Sequence, residues 1–220
     1  MSASLFDIVG PVMIGPSSSH TAGALRIGRA AGLVCPHPVQ ATFYLHGSFA
    51  TTYKGHGSDR ALVAGLIGMN TDNPDIKNAL DICSQQGIKI DFVPTDLGDV
   101  HPNTVKIVMT DQAGEQHSVT GSSVGGGEVK IVEIDGFETA ITGRYPVVVT
   151  KHHDKVGVIK QVINLLAEGQ VNIVTINLTR QQKGKMATAV IEMDEAVSPQ
   201  LVQQMKQLPS IEDVLSIQAF

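Results

Sequence analysis

The chain has few cysteines and little charge, and each shortage excludes something. Cys35 and Cys83 are the only two cysteines in 220 residues. They are too few and too far apart for a disulfide framework or a Cys-x-x-Cys metal site, so both read as small core residues. A four-iron cluster needs about four protein thiolates, so this chain cannot hold one alone. Asp, Glu, Lys and Arg reach only 17%, against about 25% in ordinary soluble domains. So sparse a charged surface predicts cover by a partner chain. The 16 basic residues against 21 acidic ones leave a formal charge of −5 and no basic stripe, which argues against nucleic acid as a partner. No run of 18 apolar residues exists, and Met1 to Gly15 lacks a basic start. The expectation is a cytoplasmic protein with no membrane span.

What is present suits a folded protein. Apolar residues make up 42%, ample for a core, and the length suggests one medium and one small domain. Ser17, Ser18 and Ser19 can cap a helix in which Ala24, Ile27, Ala31 and Val34 recur at helical spacing and which ends before Pro36. That helix is rich in Gly and Ala, a composition tolerable where another backbone must come close. Val39 to Leu45 alternates as a strand, and the Gly-rich segment from His46 to Asp59 reads as a polar loop. Helices are expected near Asp59 to Met69 and Pro74 to Gln86. Strands are expected at Ile88 to Val93, Thr104 to Met109, Glu115 to Thr120 and Glu128 to Ile134. The pattern restarts after about residue 145. Strand Pro146 to Lys151, helix Lys155 to Ala167, strands Val171 to Leu178 and Met186 to Met193, helix Pro199 to Leu208 and strand Val214 to Ile217 give the order βαββαβ. The fold class is therefore α+β, with an N-terminal α+β domain over residues 1–142 and a ferredoxin-like domain over 145–220.

Two segments carry chemistry. In Gly15-Pro16-Ser17-Ser18-Ser19-His20-Thr21-Ala22-Gly23, hydroxyls and an imidazole meet at a helix start, where N–H groups, the helix dipole and serines can together hold a carboxylate. In His46-Gly47-Ser48 through Gly55-His56-Gly57-Ser58-Asp59, glycines on both sides of His56 expose its backbone at a strand end, a place suited to proton transfer. His37, His101, His117 and His153 have no such context and read as surface residues.

From Val147 to Ile159, and again from Glu168 to Ile173, the chain resembles the ACT domain, a small amino-acid-sensing module. Its usual Asp-x-Pro-Gly turn stands here as Asp154-Lys155-Val156-Gly157, without the proline. The resemblance implies effector contacts from His152, Asp154 and Asn172, with the helix start after Gly157 facing a carboxylate. A role limited to dimerisation or docking is the alternative.

The GPSSSHTAG run, the LHGSFATTYKGHGSDRAL segment and the trailing ACT domain together resemble the beta chain of the two-chain, iron–sulfur-dependent L-serine dehydratases. That resemblance spans essentially the whole chain. It implies a lyase converting L-serine to pyruvate and ammonia, with a [4Fe–4S] cluster ligated by a separate alpha chain and no metal ligands in this one. It implies His56 as base or proton relay and His20 as the other catalytic group. Ser17, Ser18, Ser19 and Thr21 would orient the substrate, with His46, Gly47 and Ser48 as neighbours. The partners implied are the alpha chain, L-serine and a second copy joined through the ACT or N-terminal domain. Pyridoxal-phosphate dehydration is a chemical rival, but Lys54 is the only suggestive lysine and the chain is short for that fold. A non-catalytic serine-sensing module like the allosteric tail of D-3-phosphoglycerate dehydrogenase is the other alternative.

Overall fold

The computed structural model describes residues 12–180 and 182–220. The chain divides into two compact units, Met1–Gly136 and Phe137–Phe220. The break falls a few residues before the 142/145 boundary expected from the pattern. No helix among the described residues is long and apolar enough to cross a membrane.

In the first unit, a π-helical turn at Ser18–Ala22 leads into helix α1, Gly23–Val34. Strand β1, Pro38–Leu45, follows, then helices α2, Gly47–His56, and α3, Ser58–Leu66. A 3₁₀ turn at Pro74–Asn78 precedes helix α4, Ala79–Gln85. Strands β2, Lys89–Pro94, β3, Thr104–Asp111, β4, Gln116–Gly125, and β5, Glu128–Ile134, complete the unit. These strands lie in the order β2-β1-β3-β4-β5. β1 runs parallel to β2 and antiparallel to β3, so Leu45 ends beside Pro94 and Val105. That register sets the β1–α2 junction against the chain leaving β2.

Helices α1 and α3 cross at backbone distance. A Cβ at Gly28 would overlap the Leu62 carbonyl, and one at Gly65 would overlap that of Leu25. The small residues that cost helix propensity therefore serve the close approach anticipated from the sequence. Leu25, Ile27, Phe43, Leu45, Phe49, Leu62, Ile107 and Met109 fill the core beneath, all essentially inaccessible.

One expectation is overturned. The segment read as a polar loop from His46 to Asp59 is helix α2, ending at Gly57 in the left-handed region with φ 67°. Its residues hide the periodicity, since Phe49 alone is buried and two glycines and two threonines dilute the pattern. The helix is fixed by Phe49 in the core, by Tyr53 stacking on Phe92, and by Thr51 and Thr52 hydroxyls that donate to the Ser48 carbonyl. Gly57, with no Cβ, takes the positive φ that ends α2 and starts α3.

The second unit holds β6, Phe137–Ile141, β7, Val147–His153, α5, Val158–Glu168, β8, Ile173–Arg180, β9, Met186–Met193, α6, Pro199–Lys206, and β10, Ile211–Ile217. From β7 onward the order is βαββαβ, as the pattern required. The antiparallel sheet runs β10-β7-β9-β8. Val148, Ala189, Ile191, Met193 and Val214 pack against Val162, Leu166, Leu201 and Met205 of the two helices. Ser198 caps α6 by accepting the Leu201 N–H, with Pro199 at the first position.

Candidate active site

Ser17 is extended, with φ −146° and ψ 125°, and its hydroxyl accepts the His20 N–H at 3.2 Å. The π turn closes with the Gly23 N–H donating to the Ser18 carbonyl, an arrangement found frequently at functional sites. This turn presents His20 inward. Its Nδ1 lies 3.1 Å from Ser19 Oγ and its Nε2 lies 2.8 Å from Ser48 Oγ on α2. Both ring nitrogens are thus engaged by hydroxyls. Ser17 Oγ and Ser19 Oγ are 3.3 Å apart, which continues the hydroxyl chain.

His56 lies against this network. Its ring centroid is 4.9 Å from that of His20, tilted by 39°, while Phe49 meets His20 edge-on at 5.4 Å. The backbones are tied as well. The Thr21 hydroxyl donates to the His56 carbonyl at 3.3 Å, and the Ser58 hydroxyl donates to the His20 carbonyl at 2.6 Å. Burial, and then the neighbouring His56, hold the His20 imidazole below its ordinary pKa, so the ring is neutral at neutral pH. Neither nitrogen of His56 is hydrogen-bonded among the described residues. His56 is therefore the half-exposed imidazole with free nitrogens, set beside a neutral one whose nitrogens are both occupied.

The start of α2 is braced from behind. The His46 N–H donates to the Thr104 carbonyl and the Ser48 N–H to that of Pro102. The Leu97 N–H donates to His46 Nδ1 at 3.0 Å, and Asp96 lies 3.5 Å from the same nitrogen. In neutral His46 the proton is consequently on Nε2. Gly47, with φ 55°, sits so close to Pro102 that a Cβ would press on its carbonyl.

Ser17, Ser19, His20, Thr21, Ser48 and His56 thus come together, with His46 and Gly47 adjoining Ser48. Ser18 contributes its carbonyl to the π turn, and Thr21 is buried with its hydroxyl already used. Sequence reasoning missed Phe49, Asp96, Leu97 and Pro102 as supports. The last three reach the site only through the β1–β2 and β1–β3 registers, which no local pattern announces.

The ACT residues are placed differently. His152 is only 2% exposed, and its Nδ1 is hydrogen-bonded to the Thr150 hydroxyl at 3.1 Å. Burial holds its pKa below the usual value. Asp154 accepts from the Gly184 N–H at 2.9 Å and from Arg180 at 3.0 Å, which lower its pKa in that order of importance. Asn172 donates to Asp194 at 2.6 Å. Gly157, with φ 91°, precedes α5. His152 pairs with Ala187 at one end of β9, whereas Asn172 and Asp194 lie beyond Met193 at the other. About 20 Å of strand separates them, so one chain does not unite the four.

The serine dehydratase beta chain family profile matches residues 4–87, and the ACT domain profile matches residues 147–210. The chain is 44% identical to the probable L-serine dehydratase beta chain of Bacillus subtilis over 215 residues, 97% of each chain. It is 42% identical to the L-serine dehydratase beta chain of Peptoniphilus asaccharolyticus over 200 residues, 90% of each. A D-3-phosphoglycerate dehydrogenase of Methanocaldococcus jannaschii is 26% identical over 72% of this chain and 30% of that one.

Proposed function

The chain belongs to the serine dehydratase beta chain family, and from this premise we propose that His56 removes the α-proton of L-serine in an active site completed by an alpha chain. It is one chain of a two-chain lyase, L-serine dehydratase. The regulatory alternative loses ground because the two dehydratase beta chains match over 97% and 90% of their length while the Methanocaldococcus jannaschii dehydrogenase matches over 30% of its own.

The observation that carries the assignment is the inequality of the two adjacent histidines. An α-proton is weakly acidic, and a base must have a free nitrogen within reach of it. His20 has none, because Ser19 and Ser48 occupy both. His56 makes no ring hydrogen bond among the described residues, so a nitrogen of its ring is open to take the proton. His20 instead fixes the hydroxyls of Ser19 and Ser48, and with Ser17 these form a polar rim suited to the substrate carboxylate and amine. Loss of the β-hydroxyl then gives aminoacrylate, which hydrolyses to pyruvate and ammonia.

The residues of this chain do not fit a four-iron cluster. Cys35 and Cys83 are both buried, burial pushes the Cys83 thiol up to about 11, and neither belongs to the histidine site. In our reading the cluster ligands reside on the alpha chain, which supplies the electrophile for the departing hydroxyl. For the ACT unit we favour docking and dimerisation over sensing, because His152, Asp154 and Asn172 already have partners. β8 is an edge strand that exposes Val174, Ile176 and Leu178 on one face, a surface suited to a second copy.

The test is co-expression with the alpha chain, anaerobic purification and assay of pyruvate from L-serine. Turnover is expected to require both chains and to fall about 10²-fold or more in His56→Ala with the cluster absorption retained. Full activity of the alpha chain alone would overturn the catalytic reading. Near-normal turnover in His56→Ala would remove His56 from the mechanism.

A further inference from the structure

A second cluster of ligand-type side chains lies at the far end of the same sheet. β3 ends at Asp111 beside Pro38, where β1 begins, while His46 follows the other end of β1. Roughly 20 Å of strand therefore separates Asp111 from the histidine pair. Asp111, Glu115 and His117 bring one ligand atom each to within 4.8 Å of one another. Asp111 Oδ1 accepts the Ala113 and Glu115 N–H groups, which closes the β3–β4 turn and leaves Oδ2 facing His117 Nε2 at 4.0 Å. Asp135 Oδ2 stands 3.4 Å from His117 Nδ1, and its Oδ1 accepts the Ser118 N–H. A proton on Nδ1 directed at Asp135 leaves a lone pair on Nε2 pointing across the gap at a carboxylate oxygen. In that tautomer Nε2 and the Asp111 Oδ2 both offer lone pairs to the space between them, the arrangement a cation would bridge.

A separate feature adjoins the cluster. A cavity of about 280 Å³ is lined by Asp111 and His117 together with Cys35 and His37. Cys35 is 1% exposed and in no disulfide, so a sulfur donor is buried on the wall of the same cavity. Carboxylate and imidazole are both donors for zinc-class ions, whose bonds to N and O run about 2.0–2.2 Å.

We propose that Asp111, Glu115 and His117 bind one divalent cation of the zinc class, with Asp135 holding His117 in the ligating tautomer and the cavity beside Cys35 leaving room for a fourth ligand. The ion staples the β3–β4 hairpin and takes no part in the lyase reaction. The inference is independent of the roles given to His20 and His56.

Calorimetric titration of the chelator-stripped full-length chain with Zn²⁺, repeated with Co²⁺ followed by its visible absorption, tests this. One equivalent is expected to bind. The stoichiometry should persist in a His20→Ala, His56→Ala double variant, since those two imidazoles are the competing place for the ion. It should vanish in His117→Ala, and Asp135→Asn should weaken affinity about 10–100-fold. Glu115→Gln covers the case of a misfolded His117 variant. Glu115 is exposed and joins the turn only through its backbone, its N–H donating to Asp111 Oδ1 and its carbonyl accepting the Asp111 N–H, so this variant keeps the fold while weakening binding at least tenfold. No binding to the wild-type chain would overturn the site, as would undiminished binding in both His117→Ala and Glu115→Gln.

Discussion

The histidine site of the first unit and the ACT turn of the second were both flagged by motif, and their structures diverge. Around His20, residues 28 and 35 positions apart converge by hydrogen bonds, and the network saturates every polar atom of one imidazole while sparing its neighbour. Around Asp154, the polar groups are paired with neighbours of their own unit. The difference teaches that the proposed catalytic site is set apart by what it leaves unpaired. A motif whose polar groups are all paired is explained by folding alone.

Paired substitutions can break this comparison. The largest effect is expected from His56→Gln, with turnover down by about 10²-fold or more, whereas Asp154→Asn should leave turnover within about twofold. Equal losses in the two variants, measured in the reconstituted enzyme, would erase the distinction. Next, Ser48→Ala removes one hydroxyl from His20, a loss of about 1 kcal/mol or roughly fivefold in kcat. Because Ser48 acts on the ring, the pH profile of kcat should move with it; a change in KM alone would make Ser48 a mere substrate contact.

Buried histidines sharpen the contrast through stability. His20 and His152 both have folded-state pKa values lowered chiefly by burial, so the unfolded chain binds protons first as the pH falls. Stability should be level above pH about 6.5 and decline below it. Denaturant midpoints at stepped pH check this, and His152→Gln should flatten the decline while turnover at neutral pH stays unchanged. A decline identical to the wild type would mean that His152 does not resist protonation. The smallest effect belongs to Asn172→Ala, which gives up an exposed bond to Asp194 and should shift stability by no more than about 0.5 kcal/mol. A larger shift would restore interest in that end of the sheet.

The ACT unit was legible because its helices and strands each obey one period. α5 carries its apolar face through Val158, Val162 and Leu166, and Ser198-Pro199 announces α6. The helix after Ser17 was legible by its caps, although its opening π turn was not, since an i→i+5 closure has no residue signature. α2 was illegible because one buried residue in ten cannot set a moment. At the site, His20, Ser48 and His56 were readable from their two unusual segments. The inequality between the histidines was not, because it rests on which hydroxyl reaches which nitrogen within the π turn and across its contact with α2.

The crossing of α1 and α3 has a mechanical meaning. His20 stands on the turn that opens α1, and His56 stands two residues before α3 begins. Gly28 lies two helical turns below His20, about 12 Å along the axis, and a Cβ there would overlap the Leu62 carbonyl, so a side chain at Gly28 has to push α1 and α3 apart. The two imidazoles are carried at the start of these helices, so that displacement is expected to reach them. A single methyl group at Gly28 or Gly65 would force it, so a search for inactivating substitutions should strike these two positions, remote from any substrate, as often as the serines themselves.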